Sequence, residues 1–463
     1  MKSVLLIDFG STYTKLTAVD VEAESILGTA AAYTTVETDV GDGLNQALAQ
    51  LEKKTGKLDY DQCYACSSAA GGLRMIASGL VPELTSEAAK LASLGAGAKI
   101  AGLYSFQLTQ DDLEDIQAAK PDIFLLVGGT DGGNSECILH NAAMLATLEP
   151  DFPVVIAGNR TAARQCQRIL EKFETYVCPN VMPKFGVLNI EPTQKQIREI
   201  FLHRIIQAKG LSKAAELLSD ILMPTPSAVL MAMELLAQGC EGECGIGDLV
   251  AVDVGGATTD VYSMSDGMPK AMNTVYKGLP EPYSKRTVEG DIGMRYSVHG
   301  IVEAAGLNRV SQLAQLPPRR VQELVDDLRR HTDSLPDGDQ ELEALDHALA
   351  SLAIEVAVSR HAGTMEETYT MMGQTFVQNG KDLTGVKQIV VTGGSLIHTK
   401  DTAAIARHAL WSPAQPMSLR PKEAVIWVDR RYILAAMGLL SAHYPQTALR
   451  IMKKELEQHG YSE

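Results

Sequence analysis

Aromatic residues are scarce, at 5% of 463 positions, and cysteines number only seven. An odd count of cysteines at irregular spacing leaves no complete disulfide framework and fits a reducing compartment. Positive charge is also in deficit: 41 Lys+Arg face 57 Asp+Glu, a formal charge of −16. So acidic a chain lacks the clustered cations that a phosphate backbone requires, which argues against a nucleic-acid partner. No segment reaches the roughly 18 to 20 consecutive apolar residues of a membrane span. Met1 leads straight into a short strand-like stretch, without a basic region, a long apolar run or a small-residue cleavage site. Together these absences predict a cytoplasmic protein with no membrane partner.

What is present is soluble globular composition, 45% hydrophobic and 21% charged, with 39 glycines. The length exceeds what one hydrophobic core fills, since cores stop growing at roughly 250–300 residues, so two or more domains are expected. Plentiful Ala and Gly with few aromatics favour close backbone packing, as in α/β layers.

The first thirty residues read as strands. "VLLID" and "TKLTAVDV" are joined by a Gly-Ser-Thr turn, and "SILGTAAAYTTV" adds a third. A helix at about 41–53 and the buried strand "QCYACSSA" complete the β-β-β-α-β order that begins a ribonuclease-H-like half-domain. From about Ala98 strands and helices alternate strictly: "KIAGLYSFQL", a helix capped by Thr109, "DIFLLVGG", a helix, "PVVIAGN", a helix. That rhythm predicts a parallel sheet with right-handed crossovers. We place an α/β insert at about 78–189, between a first lobe at 1–77 and a helical connection at 190–245. In the connection, 213–222 reads as a helix and Pro226 stands near the start of another. The remainder, 246–463, is a second lobe carrying a helical subdomain at about 300–375.

"GDLVAVDVGGATTDVYSMSDG" repeats the opening hairpin. Asp8 matches Asp253, Gly10 matches Gly255 and Thr14 matches Thr259, each Asp ending an apolar strand, at a separation of 245 residues. So long a period belongs to two related lobes rather than to a solenoid. Gly10, Gly255 and Gly256 would allow positive φ and leave no Cβ between backbone amides and an anion, so each turn suits a phosphate nest. Ser11, Thr12, Thr258 and Thr259 add hydroxyl donors. Thr14 and Lys15 alternate along a strand, so only one of them faces a phosphate; Thr14 is preferred and Lys15 is the second choice. Carboxylates beside a triphosphate repel it unless a cation intervenes, and Mg²⁺ held largely through water by Asp8 and Asp253 meets that need. Either Asp, or a neighbour, would also orient the attacking water. A lone Asp-x-Gly turn is ordinary turn chemistry; the pairing, with a third glycine pair in "VVTGGSLIHT", favours phosphate.

Asp8-Phe9-Gly10-Ser11-Thr12 resembles the first phosphate motif, "AVDVGGATTDV" the second, and "VVTGGS" (Gly393, Gly394, Ser395) the adenosine motif of the actin, sugar-kinase and heat-shock-chaperone ATPase superfamily, in the same order and spacing. "VEGDIGMRYSV" resembles a segment that in such chaperones lies near the nucleotide, which would place Gly290 and Asp291 there. The resemblance implies an α/β, two-lobed ribonuclease-H-like (actin-like) ATPase fold with an inserted parallel α/β subdomain, and ATP/ADP with Mg²⁺ as cofactors.

Three strings, "ACSSAAGGLRM", "LLVGGTDGGNSE" and "VEGDIGMRYS", make the whole chain similar to the glutamate mutase-associated protein family, called GlmL or MutL. That implies an ATP-dependent reactivating chaperone that releases inactive cobalamin from a cobalamin-dependent mutase, with mutase subunits of the glutamate mutase type as partners. A small-molecule kinase of the same superfamily and a nucleotide-gated binding module with little turnover stay open as alternatives. Two readings of "VGGTDGGNSE" also stay open: a lip of the nucleotide site or contact loop, and a tight turn in which Asn134 or Ser135 caps the next helix. Cys63 and Cys66 lie in a strand, where i and i+3 point to opposite faces, and read as core cysteines. Cys240 and Cys244, without an adjacent His, are too few for a structural zinc site.

Overall fold

The computed structural model describes residues 2–10, 13–34, 40–68, 73–208, 220–270, 272–370, 373–397, 399 and 401–460. Candidates Ser11 and Thr12 lie outside them, as does most of the helix expected at 213–222. Its last three residues are described, and they are extended, because they open a strand.

Residues fall into two compact units, Met1–Met231 with Ala435–Thr447 and Ala232–Leu434 with Ala448–Glu463. The first unit contains β1 (Ser3–Phe9), β2 (Tyr13–Asp20), β3 (Ser25–Tyr33), β4 (Gln62–Ser67), β5 (Arg74–Gly79), β6 (Lys99–Ser105), β7 (Ile123–Leu126), β8 (Val154–Ile156), β9 (Thr175–Val177) and β10 (Asp220–Pro224). β1 is apolar almost without interruption and buried along its whole length, as suits a strand at the centre of a sheet. Its sheet has the order β10-β4-β1-β2-β3. β1, β2 and β3 run antiparallel, while β4 and β10 run parallel to β1 and to each other. This is ribonuclease-H-like topology, with the helix Val40–Thr55 between β3 and β4.

The second sheet of this unit, β6-β5-β7-β8-β9, is parallel throughout. It is the inserted α/β layer, and its strands begin at Arg74, a few residues before the expected position 78. Thr109 caps the helix Gln110–Ala119 in a reciprocal capping box with Asp112. Ile76, Phe124, Leu126, Val154 and Ile156 pack with Ile116, Ile138 and Ala162 from the crossover helices.

In the second unit stand β11 (Gly239–Cys240), β12 (Glu243–Cys244), β13 (Leu249–Val254), β14 (Thr259–Met264), β15 (Thr274–Lys277), β16 (Ser284–Glu289), β17 (Thr364–Thr370), β18 (Gly373–Asn379), β19 (Gln388–Thr392), β20 (Val425–Val428) and β21 (Glu457–His459). Its main sheet, β16-β14-β13-β19-β20-β21, repeats the first topology and adds β21 at the edge. β13, β14 and β16 are antiparallel neighbours, and β19 and β20 run parallel to β13. The 22-residue helix Gln340–His361 packs on it through Leu345, Leu349, Leu352 and Ile354. Before it, Pro318–Arg330 buries Val321, Leu324, Val325 and Leu328 at helical spacing.

Two expectations need correction. The helical stretch ends at His361 rather than near 375, because β-branched and aromatic residues from Thr364 pair β17 with β18. Residues 435–447 belong to the first compact unit rather than to the second: His443 stacks on Tyr64 at 4.7 Å between ring centroids, and Tyr444 Oη hydrogen-bonds Gln62 Oε1 at 2.6 Å. Among the described residues no helix is long and apolar enough to cross a membrane.

Candidate functional site

The repeated hairpins share backbone geometry as well as sequence. Gly10 N–H donates to Tyr13 O at 3.1 Å, and Gly255 N–H donates to Thr258 O at 2.9 Å. A Cβ on Gly10 would lie 2.5 Å from Tyr13 O, and one on Gly255 2.9 Å from Thr258 O. Glycine is thus required for close approach inside the turn. The positive φ expected at Gly10, Gly255 and Gly256 is not adopted. Because the amides of Gly10 and Gly255 are spent on the turn, those two do not form the open nest read from the sequence.

Asp8 is 5% exposed. Its Oδ1 accepts hydrogen bonds from the Thr225 hydroxyl at 2.6 Å and the Cys66 thiol at 3.4 Å. Its Oδ2 lies 3.7 Å from Lys15 Nζ. Antiparallel register puts Lys15 directly across from Asp8 and pairs Thr14 with Phe9 on the opposite, buried face. The preference for Thr14 is therefore reversed by the geometry: Thr14 is fully buried and its hydroxyl meets Thr34 Oγ1 at 3.1 Å. Burial first, and then the charge of Asp8, push the Cys66 thiol far above its ordinary range, so it acts as a donor and not as a nucleophile.

In the second unit Asp253 faces Asp260 across the hairpin, at the position where the first hairpin has Lys15. Arg286 from β16 meets Asp260 at 2.6 Å and is itself buried. Thr259, the counterpart of Thr14, is buried, and its hydroxyl donates to Ile292 O at 3.0 Å, so it too serves the fold. Thr258 lies at the turn, partly exposed, with its hydroxyl 3.4 Å from Asp260 Oδ2.

Two other motifs read separately in the sequence converge on this second hairpin. The amide of Met294 donates to Gly255 O, and those of Arg295 and Tyr296 donate to Gly256 O, at 2.8 to 3.0 Å. The segment that begins at Gly290 and Asp291 is thus bolted to the turn by its own backbone. Gly393 has φ +120°, and a Cβ there would lie 2.3 Å from Val254 O, between Asp253 and Gly255 in the chain. Gly394 is exposed with open space around it, and Ser395 follows in the short helix Gly394–Ile397. Arg360 holds Glu289 and both oxygens of Asp291 at 2.8 to 2.9 Å.

Sequence reasoning missed several supports. Thr225 and Cys66 on Asp8 are brought there only by strand order. Asp429, 1% exposed, accepts the amides of Ile433 and Leu434 and the Thr392 hydroxyl, and so ties the residue before the Gly393–Gly394 pair to the start of the helix Leu434–Ser441. An Asp between an apolar strand and a helix start was the available signal. Arg295 is buried and bidentate on Asp346 at 2.7 and 3.0 Å.

In the insert, Asn134 Oδ1 accepts the amide of Cys137 at 3.1 Å and caps the helix Glu136–Leu145. Asn159 Nδ2 donates to the carbonyls of Gly133 and Asn134, while Asn180 Nδ2 donates to Gly129 O and Asp131 Oδ1. The loop at 128–133 is thus held as a capped turn by its own surroundings. Cys240 and Cys244 lie on the two strands of a short ribbon whose Glu243 is held by Arg450 and Lys453. Among the described residues no group of three or more His, Cys, Asp or Glu is gathered to hold a metal.

Solved structures that resemble the chain include component A of the Acidaminococcus fermentans (R)-2-hydroxyglutaryl-CoA dehydratase, 9% identical over 98% of this chain and 99% of that one, TM-score 0.32. Another is the activator of the 2-hydroxyisocaproyl-CoA dehydratase from Clostridium difficile with bound ADPNP, 8% identical over 99% of each chain, TM-score 0.34. Protein MutL of Clostridium tetanomorphum is 47% identical over 460 residues, which are 98% of this chain and 99% of that one. The MutL protein family model matches residues 4–456. With that match across both hairpins, the insert and the Gly393–Gly394 turn, this chain belongs to the MutL protein family.

Proposed function

We propose that the chain is an ATP-hydrolysing reactivating chaperone for a cobalamin-dependent mutase of the glutamate mutase type, coupling hydrolysis to release of inactive cobalamin. The observation that carries the reading is the duplicated turn: the same Gly amide to i+3 carbonyl bond follows a strand-end Asp in each compact unit. In this reading each hairpin turn contacts nucleotide phosphate, through Lys15 in the first unit and through Thr258, Gly394 and the segment from Gly290 in the second.

A magnesium ion fits the donor chemistry, since Asp8 and Asp253 each bring hard carboxylate oxygens to the end of a strand, which suits an ion that keeps most of its water and binds phosphate. Bound there, the ion would neutralise triphosphate charge. Asp8 and Asp253 would hold it through water and orient the attacking water. Work on the mutase follows from a nucleotide-dependent shift between two states of the chaperone, one of which opens the mutase around its cobalamin.

Phosphate release with and without a cobalamin-dependent mutase tests the reading. Hydrolysis should be present and raised by inactivated mutase. Asp8→Asn and Asp253→Asn should each lower kcat on the order of a hundredfold. Unchanged hydrolysis in both variants overturns the site. Hydrolysis indifferent to mutase but raised by a sugar or small acid points to a kinase and overturns the chaperone role, as does nucleotide binding with no turnover.

A further inference from the structure

Asp8 is held by Cys66 and by Thr225, and Thr225 is in neither the repeat nor the family motifs. β1, β4 and β10 lie side by side and parallel, and the register puts Asp8 opposite Cys66 and Cys66 opposite Met223. Two residues beyond Met223, the chain leaves β10 and Thr225 opens the helix Thr225–Gln238. Parallel strands end on one edge of their sheet, so the hydroxyl of Thr225 arrives at the carboxylate that ends β1, 217 positions earlier in the chain.

We propose that Thr225 is a positioning residue for Asp8, an inference that rests on the nucleotide reading of Asp8 given above. A carboxylate at a strand end rotates about χ2, a broad torsion with no sharp minimum. The 2.6 Å bond from Thr225 pins Oδ1 and thereby fixes the plane, while Oδ2 is presented toward Lys15. Cys66 backs the same oxygen from 3.4 Å, as a weaker donor. Asp8 is thus divided into one oxygen committed to the fold and one available for chemistry.

The start of the helix is itself fixed. Ser227, 4% exposed, donates its hydroxyl to Ala96 O at 3.0 Å. Gly97, at φ +90°, approaches so closely that a Cβ there would lie 2.7 Å from both Pro224 Cβ and Ser227 Oγ. Residues 96 and 97 lead into β6 of the insert. The turn that delivers Thr225 therefore rests on the α/β layer, and Asp8 takes its orientation from an element outside its own hairpin.

Steady-state ATP hydrolysis of the full chain separates positioning from mere packing. Thr225→Val keeps the shape and removes the donor, and kcat should fall between about tenfold and a hundredfold, the scale of a misplaced catalytic group, while KM for ATP changes less than about threefold. Thr225→Ser should recover most of the loss, and Cys66→Ala should cost less than Thr225→Val. If Thr225→Val does not fold, Thr225→Ala carries the same expectation. A kcat within twofold of wild type, or Ser as impaired as Val, overturns the positioning role. Asp8→Asn measured alongside keeps the two readings apart. Hydrolysis lost in Asp8→Asn and kept in Thr225→Val overturns positioning alone, whereas a wild-type chain without hydrolysis overturns the nucleotide reading and positioning with it.

Discussion

Lys15 and Thr14 are adjacent in the chain and opposite in role. A strand sends successive side chains to opposite faces, so the alternation was legible, but which face carried Asp8 was not. Register decides it: Lys15 pairs with Asp8, and Thr14 with Phe9. Lys15 keeps about a quarter of its side chain exposed and is a point charge able to follow a phosphate. Lys15→Met should raise KM for Mg-ATP about tenfold, equal to roughly 1.4 kcal/mol of lost binding. Thr14→Val should act on stability instead, at about 1 kcal/mol for the hydroxyl it shares with Thr34. Kinetics and urea unfolding on the two variants check the assignment, and a larger KM effect for Thr14→Val would restore the sequence-based preference. Thr225 was illegible for a different reason: nothing local marks a threonine 217 positions away as the partner of a carboxylate.

At the scale of elements, the two hairpins were the most legible feature, because apolar strands, a strand-end Asp and an obligate Gly all leave marks within a dozen residues. The reason for the Gly was not legible. Positive φ and a close approach both select glycine, and only the 2.5 and 2.9 Å positions of a hypothetical Cβ show that it is close approach here. That distinction has a consequence. Gly10→Ala and Gly255→Ala must push backbone carbonyls aside and should each cost roughly 1–3 kcal/mol, as overpacking does, with Gly10→Ala the worse. Gly394→Ala, with open space around it, should stay within about 0.5 kcal/mol of wild type. Midpoints of denaturant unfolding rank the three. Equal costs at all three positions would mean that the hairpin turns yield freely. The insert was legible from its strict strand and helix alternation, yet no strand was read at β5, since its six residues carry no periodic signal of their own.

At the scale of the whole molecule, the same sheet order occurs in both compact units, and each copy ends its first strand in an Asp-x-Gly turn. The copies are not equivalent. Opposite Asp8 stands a lysine, whereas opposite Asp253 stands Asp260, met by the buried Arg286. Lys15 brings a partly exposed cation to Asp8, whereas Asp253 has a second carboxylate across its hairpin, so the second turn has the greater need of a magnesium ion beside phosphate. Calorimetric titration with a non-hydrolysable ATP analogue, with and without Mg²⁺, should therefore show binding whose Mg²⁺ dependence is reduced more by Asp253→Asn than by Asp8→Asn. A Mg²⁺ dependence equal in both variants and in the wild type would end the metal role of the two carboxylates.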